Sequence, residues 1–185
     1  MCFLSVFFEP TDVVISKKPF ACGSWKAIKF ISPNLTELKT IADLFKISLP
    51  SHINNQVEQA SYLTEQLSRH IDTIIVTLGK HGLLIARHGE ASAPFLHTNR
   101  RDRLAIRHYP VDEMDKVVNV SGAGDCLAAG LISAMLDCCS EELCVSVGII
   151  AAQASLHSKS AVPDVLFNRK QTTLKPATYY NILSQ

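Results

Sequence analysis

The sequence lacks an excess of charge of either sign. Its 185 residues contain 18 Lys and Arg against 17 Asp and Glu, so the formal net charge is +1. Proteins that hold nucleic acids through phosphate contacts usually carry a basic excess, so we predict no nucleic-acid partner. Long apolar runs are also missing, and no stretch approaches the roughly 18 apolar residues of a membrane span. We therefore predict no membrane partner either.

Glycine and proline are scarce, with eight of each, while 47% of the residues are hydrophobic. This composition excludes collagenous and disordered chains and is typical of a globular domain. The six cysteines form no C-x-x-C pair, and the seven histidines show no metal-ligand spacing. Free thiols are typical of a reducing compartment, so we predict a cytoplasmic location. We interpret the apolar segment Met1–Phe8 as a buried strand rather than a signal sequence, because no basic region precedes it.

Apolar runs alternate with helical patterns along the chain, which predicts an α/β fold with a mainly parallel sheet. Strands are predicted at Met1–Phe8, Ala27–Ile31, Thr73–Leu78, Leu83–Arg87, Leu104–Tyr109 and Lys116–Val118. Helices are predicted at Thr11–Ala21, Asn34–Phe45, His52–Arg69, Ala123–Leu136 and Glu141–His157. Residues 1–167 are expected to form one domain, and residues 168–185 an irregular tail.

The segment Asn119–Asp125 carries the strongest chemical pattern. Its residues Gly122, Ala123 and Gly124 leave backbone N–H groups unobstructed where a helix is predicted to begin. A helix N-terminus attracts phosphate through unpaired donors and its positive dipole end, and the dipole also favours the carboxylate of Asp125. An anion cradle beside a carboxylate base suits phosphoryl transfer to an alcohol. The structural alternative is a tight turn with an acidic first helical turn.

Other phosphate-binding motifs fail on inspection. The dinucleotide pattern G-x-G-x-x-G would need glycine at position 127, where Leu127 stands. A P-loop ending at Gly79-Lys80 would need glycine at position 74 and Ser or Thr at position 81, where Ile74 and His81 stand. The failure of these motifs argues against the hypothesis of a nucleotide-binding α/β domain of the dinucleotide or P-loop type.

Three short motifs together resemble the pfkB/ribokinase family of carbohydrate and nucleoside kinases. They are Pro33-Asn34-x-x-Glu37, Thr77-Leu78-Gly79-x-x-Gly82, and Asn119–Asp125 followed by Ala128-Ala129-Gly130. The resemblance runs from Met1 to about Phe167. It implies a ribokinase-like three-layer α/β/α fold that lacks the N-terminal strands and lid. On this reading, the chain resembles the C-terminal three-fifths of such a kinase, with the ATP side and the base but not most of the sugar contacts.

The resemblance implies a role for each motif residue. Asp125 takes the proton from the substrate hydroxyl, and the N–H groups of Gly122, Ala123 and Gly124 form an anion hole. The other roles are Mg²⁺ organisation by Asn34 and Glu37, ATP binding by Thr77, Gly79 and Gly82, and an adenine pocket that includes Ala152 and Ser155. Asn34 and Glu37 also have the spacing of a helix-capping box, and both roles are compatible.

The implied activity is ATP- and Mg²⁺-dependent phosphorylation of a sugar or nucleoside hydroxyl. The segments Glu9-Pro10-Thr11, Phe30–Asn34, His108-Tyr109-Pro110 and Val117–Asp125 are similar to the pseudouridine kinase branch, so pseudouridine is the expected substrate. Many members have Asp-Thr where Asn119-Val120 stands, so a monovalent cation stays an open cofactor. The alternative function is a truncated isoform or fragment without turnover that retains nucleotide or partner binding. An exposed sheet edge at the N-terminal strand would allow homo-oligomers.

Overall fold

A computed structural model describes residues 5–112, 116–164 and 174–184 of the chain. It divides the chain into two compact units. The first contains Met1–Gly89, Thr98–Pro110 and Tyr179–Gln185, and the second contains Glu90–His97 and Val111–Thr178. The single domain expected over residues 1–167 stays a prediction.

The first unit is built on a six-stranded sheet whose strands neighbour one another in chain order. The strands are β1 (Val6–Phe8), β2 (Ile28–Ile31), β3 (Thr73–Thr77), β4 (Leu83–His88), β5 (Leu104–Tyr109) and β6 (Tyr180–Ser184). Strands β1, β2 and β3 pair in parallel, whereas β3 to β6 pair antiparallel. The mainly parallel arrangement thus holds only for the first three strands. The glycine-containing segment Gly79–Gly82 predicts a turn that leads into a hairpin, and the antiparallel pairing of β3 with β4 confirms it. The turn is too short for a crossover helix.

Two α-helices of the first unit bury apolar residues in its core. They are α1 (Leu35–Leu44) and α2 (Gln56–Leu67), and each begins after an asparagine whose side chain caps it. Buried residues of α1 recur at helical spacing, with Leu38, Ile41 and Ala42 in the core. Both helices were predicted from this periodicity and are confirmed. The first is one residue shorter at each end, whereas the second begins four residues later and ends two residues earlier than predicted.

The segment between β1 and β2 differs from its prediction. Instead of one helix over Thr11–Ala21, it forms two short 3₁₀-helices, Ile15–Ala21 and Gly23–Ala27. Pro19 lies inside the first, and proline lacks the N–H group that a longer α-helix would require.

Strand β1 is less buried than the sequence predicted. Val6 is 42% exposed, and Phe7 and Phe8 are half-buried. The strand lies at one end of the sheet and has β2 as its strand neighbour in the described part of the chain. The first four residues of the predicted strand lie outside the described residues.

The second unit contains the helices α3 (Ala123–Leu136) and α4 (Glu141–Leu156), which pack tightly against each other. A Cβ atom on Gly130 would lie 2.9 Å from the Cα of Gly148, so both positions require a very small residue. The apolar pattern of α4 predicts an inner face of Leu143, Val147, Ile150, Ala151 and Ala154, and of these only Val147 and Ala151 are buried. The buried residues of α4 include Cys144, Val147, Gly148, Ala151 and Ser155, whereas Leu143, Ile150 and Ala154 are only partly buried.

Two further predictions need correction. Residues 116–118 form no strand, because Val118 donates its N–H to the carbonyl of Leu156 at the end of α4 (2.8 Å). The predicted irregular tail lies partly outside the described residues, and its end forms β6, which pairs with β5. No helix in the described ranges is long and apolar enough to cross a membrane. The five cysteines of the described residues are free thiols.

Candidate functional site

An open pocket of about 630 Å³ lies in the first unit, where α1 begins and β3 ends. Its walls come from the segment after β1, the first turns of α1, the start of α2 and the turn after β3. The lining residues are Thr11, Asp12, Val13, Asn34, Leu35, Thr36, Glu37, Lys39, Gln56, Thr77, Leu78 and Gly79. The structure thus brings together the predicted metal pair Asn34 and Glu37 with two residues of the predicted nucleotide turn.

The backbone connects these two motifs directly. Thr77 donates its N–H to the carbonyl of Pro33 (3.0 Å), and Asn34 and Thr77 form a parallel bridge. The carboxyl end of β3 and the N-terminus of α1 are therefore fixed relative to each other. Such edges, at the carboxyl ends of parallel strands, are where α/β sheets commonly bind ligands.

Asn34 and Glu37 form a complete capping box at the start of α1. The Oδ1 atom of Asn34 accepts hydrogen bonds from the N–H groups of Thr36 (2.9 Å) and Glu37 (3.0 Å). In return, Oε2 of Glu37 accepts a hydrogen bond from the N–H of Asn34 (2.9 Å). Both lone pairs of the Asn34 amide oxygen are used in this way, so the amide positions Glu37 and is poorly suited to bind a metal itself.

Glu37 combines burial with a position on the pocket wall. Its side chain is only 5% exposed. Burial raises the pKa of this carboxyl above its ordinary value, and the negative charge of Asp12 raises it further, while the hydrogen bonds from Asn34 act in the opposite direction. A bound cation would favour the ionised form of such a group.

Asp12 is a pocket residue that the sequence analysis missed. Its Oδ1 atom accepts hydrogen bonds from the N–H groups of Val14 (2.6 Å) and Ile15 (2.8 Å), where the first 3₁₀-helix begins. The signal available was its position directly after Glu9-Pro10-Thr11, which we used only as a mark of family resemblance. Lys39 and Gln56 were also missed, because neither belongs to a recognisable short motif.

The donors of this pocket fit Mg²⁺. The described residues contain no group of three or more His, Cys, Asp and Glu side chains that could hold a metal. Mg²⁺, however, is usually bound by one or two carboxylates together with substrate phosphates and water, rather than by an all-protein cage. Glu37 and Asp12 supply two such carboxylates in the pocket.

The two glycines of the predicted nucleotide turn have different roles. Gly79 lines the pocket with a φ of +57°, and a Cβ atom added there would meet no atom within 4 Å. Gly82 is not among the lining residues. A Cβ atom on Gly82 would lie 2.0 Å from the carbonyl oxygen of Tyr109, so this glycine allows β4 to pass close to the end of β5. Its contact with a nucleotide stays a prediction, and its packing role is evident.

The predicted anion hole forms the start of α3 in the second unit. Gly122 is the N-cap residue with a φ of +79°, and no side chain caps the helix. A Cβ atom at Gly122 would lie 2.2 Å from the carbonyl oxygen of Ala161, so glycine is required for both conformation and space. Gly124 and Asp125 are exposed in the first turn. The first N–H groups of a helix have no partner inside it, so this uncapped end can receive an anion.

The loop before α3 is fixed by polar contacts with the segment after α4. Asn119 accepts a hydrogen bond from the N–H of Ser121 (2.9 Å). The buried hydroxyl of Ser155 lies 2.8 Å from the carbonyl oxygen of Ala161 and 3.3 Å from that of Ser121. Ser155 therefore supports the loop, and its proposed contact with adenine would have to compete with these bonds. Ala152, the other predicted adenine residue, is partly buried on α4.

Comparison with known proteins tests the resemblance seen in the motifs. Residues 23–166 match the model of the pfkB family carbohydrate kinases. The chain is 24% identical to a pseudouridine kinase of Arabidopsis thaliana over 196 aligned residues, which cover 85% of this chain and 51% of that protein.

Solved structures give the same fold. A ribokinase from Cryptococcus neoformans var. grubii serotype A in complex with ADP has a TM-score of 0.63 and 18% identity, covering 86% of this chain and 50% of the other. The adenosine kinase from Sinorhizobium meliloti has a TM-score of 0.61 and 18% identity, covering 86% and 41%. The expected ribokinase-like α/β fold is confirmed.

The chain spans about half the length of the proteins that it matches. The match to the family nevertheless covers the capping box at α1, the turn after β3 and the glycine-rich start of α3. With all three motifs inside the matched region, the chain belongs to the pfkB family of carbohydrate kinases.

Proposed function

We propose that this chain is part of an ATP-dependent phosphotransferase that acts on a hydroxyl group of a sugar or nucleoside, with pseudouridine as the substrate and pseudouridine 5′-phosphate as the product. The observation that carries the proposal is the uncapped N-terminus of α3 with the exposed carboxylate of Asp125 in its first turn. An anion-binding helix end and a neighbouring base are the two protein functions that phosphoryl transfer to an alcohol requires.

In the proposed reaction, the substrate hydroxyl oxygen attacks the γ-phosphorus of ATP. The bond between this phosphorus and the β–γ bridging oxygen breaks, ADP leaves, and Asp125 accepts the hydroxyl proton. The N–H groups of Gly122, Ala123 and Gly124 stabilise the charge on the transferring phosphoryl group. Phosphoryl transfer depends mainly on positioning and electrostatic stabilisation, and these groups supply the base and the electrostatic part.

We assign the nucleotide phosphates and Mg²⁺ to the pocket of the first unit. Bound Mg²⁺ would neutralise negative charge on the phosphates. Glu37 and Asp12 provide carboxylates for the metal or its water ligands, and Asn34 holds Glu37 in place through the capping box. Thr77 and Gly79 contribute to the same wall. A monovalent cation stays an open cofactor of the proposed reaction, and the free thiols support a cytoplasmic location.

Pseudouridine is the proposed acceptor for two reasons. The first is the similarity of the chain to the Arabidopsis pseudouridine kinase. The second is the set of segments around Glu9-Pro10-Thr11 and Val117–Asp125, which are similar to that branch of the family. Ribose and adenosine are the competing acceptors, because proteins of the same fold are a ribokinase and an adenosine kinase.

The test incubates the purified protein with Mg²⁺, ATP and one acceptor at a time: pseudouridine, uridine, ribose or adenosine. Phosphorylated product is measured by mass spectrometry. We expect pseudouridine 5′-phosphate, and we expect Asp125→Asn to lower the rate about 10²- to 10⁴-fold without changing ATP affinity. Glu142→Gln is the matched control, because Glu142 is an acidic residue in the first turn of α4.

Three outcomes contradict parts of the proposal. Faster phosphorylation of ribose or adenosine would contradict the substrate, and an unchanged rate in Asp125→Asn would contradict the base. Binding of ATP without any product would favour the second candidate function, nucleotide binding without turnover.

A further inference from the structure

Lys39 lies on the wall of the pocket, on α1 and two residues after Glu37. It is the single Lys or Arg among the described residues that line this pocket, whereas Asp12 and Glu37 are both acidic. Within the described ranges, Lys39 takes part in no ion pair. A cation that lines an open pocket without a carboxylate partner is available to a ligand.

The backbone amides of α1 cannot replace this charge. The N–H groups of Thr36 and Glu37 are used by the side chain of Asn34, and the N–H of Leu38 donates to the carbonyl of Asn34 (2.8 Å). These three N–H groups are therefore already satisfied, unlike those at the uncapped start of α3. Among the lining residues, Lys39 therefore supplies the positive charge for an anionic ligand in this pocket.

We propose that Lys39 binds the polyphosphate of the nucleotide in this pocket. The inference rests on the proposed function and adds a residue to it. The ammonium group is a compact charge with three donors, which suits phosphate oxygens. In this arrangement Lys39 would contact the phosphates. The acidic pair Asp12 and Glu37 would contact the divalent cation.

A purely structural role makes a different prediction. If Lys39 only balanced the charges of Asp12 and Glu37, its removal would change thermal stability and leave nucleotide affinity unchanged. If Lys39 contacts phosphate, its removal weakens ligands that carry a polyphosphate and leaves adenosine unaffected. The comparison of ligands therefore separates the two roles.

The experiment measures binding by isothermal titration calorimetry with three probes: ATP with Mg²⁺, inorganic tripolyphosphate with Mg²⁺, and adenosine. Lys39→Met should weaken ATP and tripolyphosphate about 10- to 100-fold, as expected for the loss of a charged hydrogen bond. Lys39→Arg should recover most of the affinity. Lys26→Met is the control, because Lys26 is exposed and is not among the lining residues.

Each result is decisive. If the parent protein binds ATP and Lys39→Met binds it equally well, the role of Lys39 is wrong while the proposed function stands. If Lys39→Met weakens adenosine as much as ATP, the effect is a general loss of structure and the inference is wrong. If the parent protein binds neither ATP nor tripolyphosphate, the assignment of nucleotide to this pocket is itself wrong, and the inference falls with it.

Discussion

Replacement of Glu37 by glutamine separates its two roles, since a capping residue and a metal-binding carboxylate respond differently. Glutamine has the same shape, and its side-chain oxygen can still accept the hydrogen bond from the N–H of Asn34, so the capping box is retained. The negative charge is lost. Glu37→Ala removes both features, and Glu58→Gln is the matched control because Glu58 holds the same position in the exposed first turn of α2.

The expected stabilities follow from the contacts. Glu37→Ala loses one hydrogen bond, which contributes about 1 kcal/mol. For a protein of this size the melting temperature should fall by about 2–4 °C. Glu37→Gln keeps that bond and removes a buried charge, so its melting temperature without ligand should equal or exceed that of the parent protein.

The difference between parent and Glu37→Gln should depend on pH. Burial and the charge of Asp12 raise the pKa of Glu37 in the folded protein. A raised pKa means that this carboxyl contributes most to stability below its unfolded pKa of about 4.3, and that the contribution is lost as the pH rises through the folded pKa. Glutamine has no such dependence. The advantage of the variant should therefore grow as the pH rises from about 4 towards neutral.

Magnesium provides the second readout. ATP binding by Glu37→Gln should require a higher Mg²⁺ concentration than binding by the parent protein or by Glu58→Gln. Melting curves between pH 4 and pH 8 and Mg²⁺ titrations of ATP binding measure both effects. A melting temperature that falls in Glu37→Gln as far as in Glu37→Ala, with an unchanged Mg²⁺ dependence, would refute the metal role and leave only the cap.

Two other predictions concern the turn before α3 and the edge of the sheet. Gly122→Ala should lower the melting temperature by at least about 4 °C, because a left-handed alanine costs about 1–2 kcal/mol and its Cβ would collide with the carbonyl of Ala161, 2.2 Å away. Gly23→Ala has free space and should change little, so equal effects would contradict the packing argument. If the chain self-associates through β1, Val6→Lys should lower the dimer fraction in sedimentation, whereas Ile182→Lys on the opposite edge strand, also 42% exposed, should not. Equal behaviour of the two lysine variants would exclude the β1 edge as the contact.

The sequence alone predicted those structural features that depend on residues close together in the chain. The capping box of Asn34 and Glu37 follows from a spacing of three residues, and the structure has both of its hydrogen bonds. The bounds of α3 were predicted without error, because a glycine-rich turn, an apolar helical run and a stop at Asp137 follow in order. The hairpin between β3 and β4 follows from the short glycine-containing turn at Gly79–Gly82.

Tertiary structure decided whatever depends on residues distant in sequence. The buried face of α4 follows from the close approach of Gly148 to α3, which an apolar pattern cannot show. The roles of Gly82 and Ser155 depend on the carbonyl groups of Tyr109 and Ala161, respectively.

The pocket shows the same division. Its motif residues Glu37 and Thr77 were recognisable from the sequence, because each stands in a short pattern. Asp12 and Lys39 could not be recognised from the sequence, because neither stands in a short motif. Asp12 reaches the pocket only when the chain after β1 folds beside α1. The sequence by itself therefore determined the family and the local motifs, since these depend on residues a few positions apart. Only the folded chain determined the charge around the pocket, because that charge is the sum of groups that the backbone brings together from separate segments.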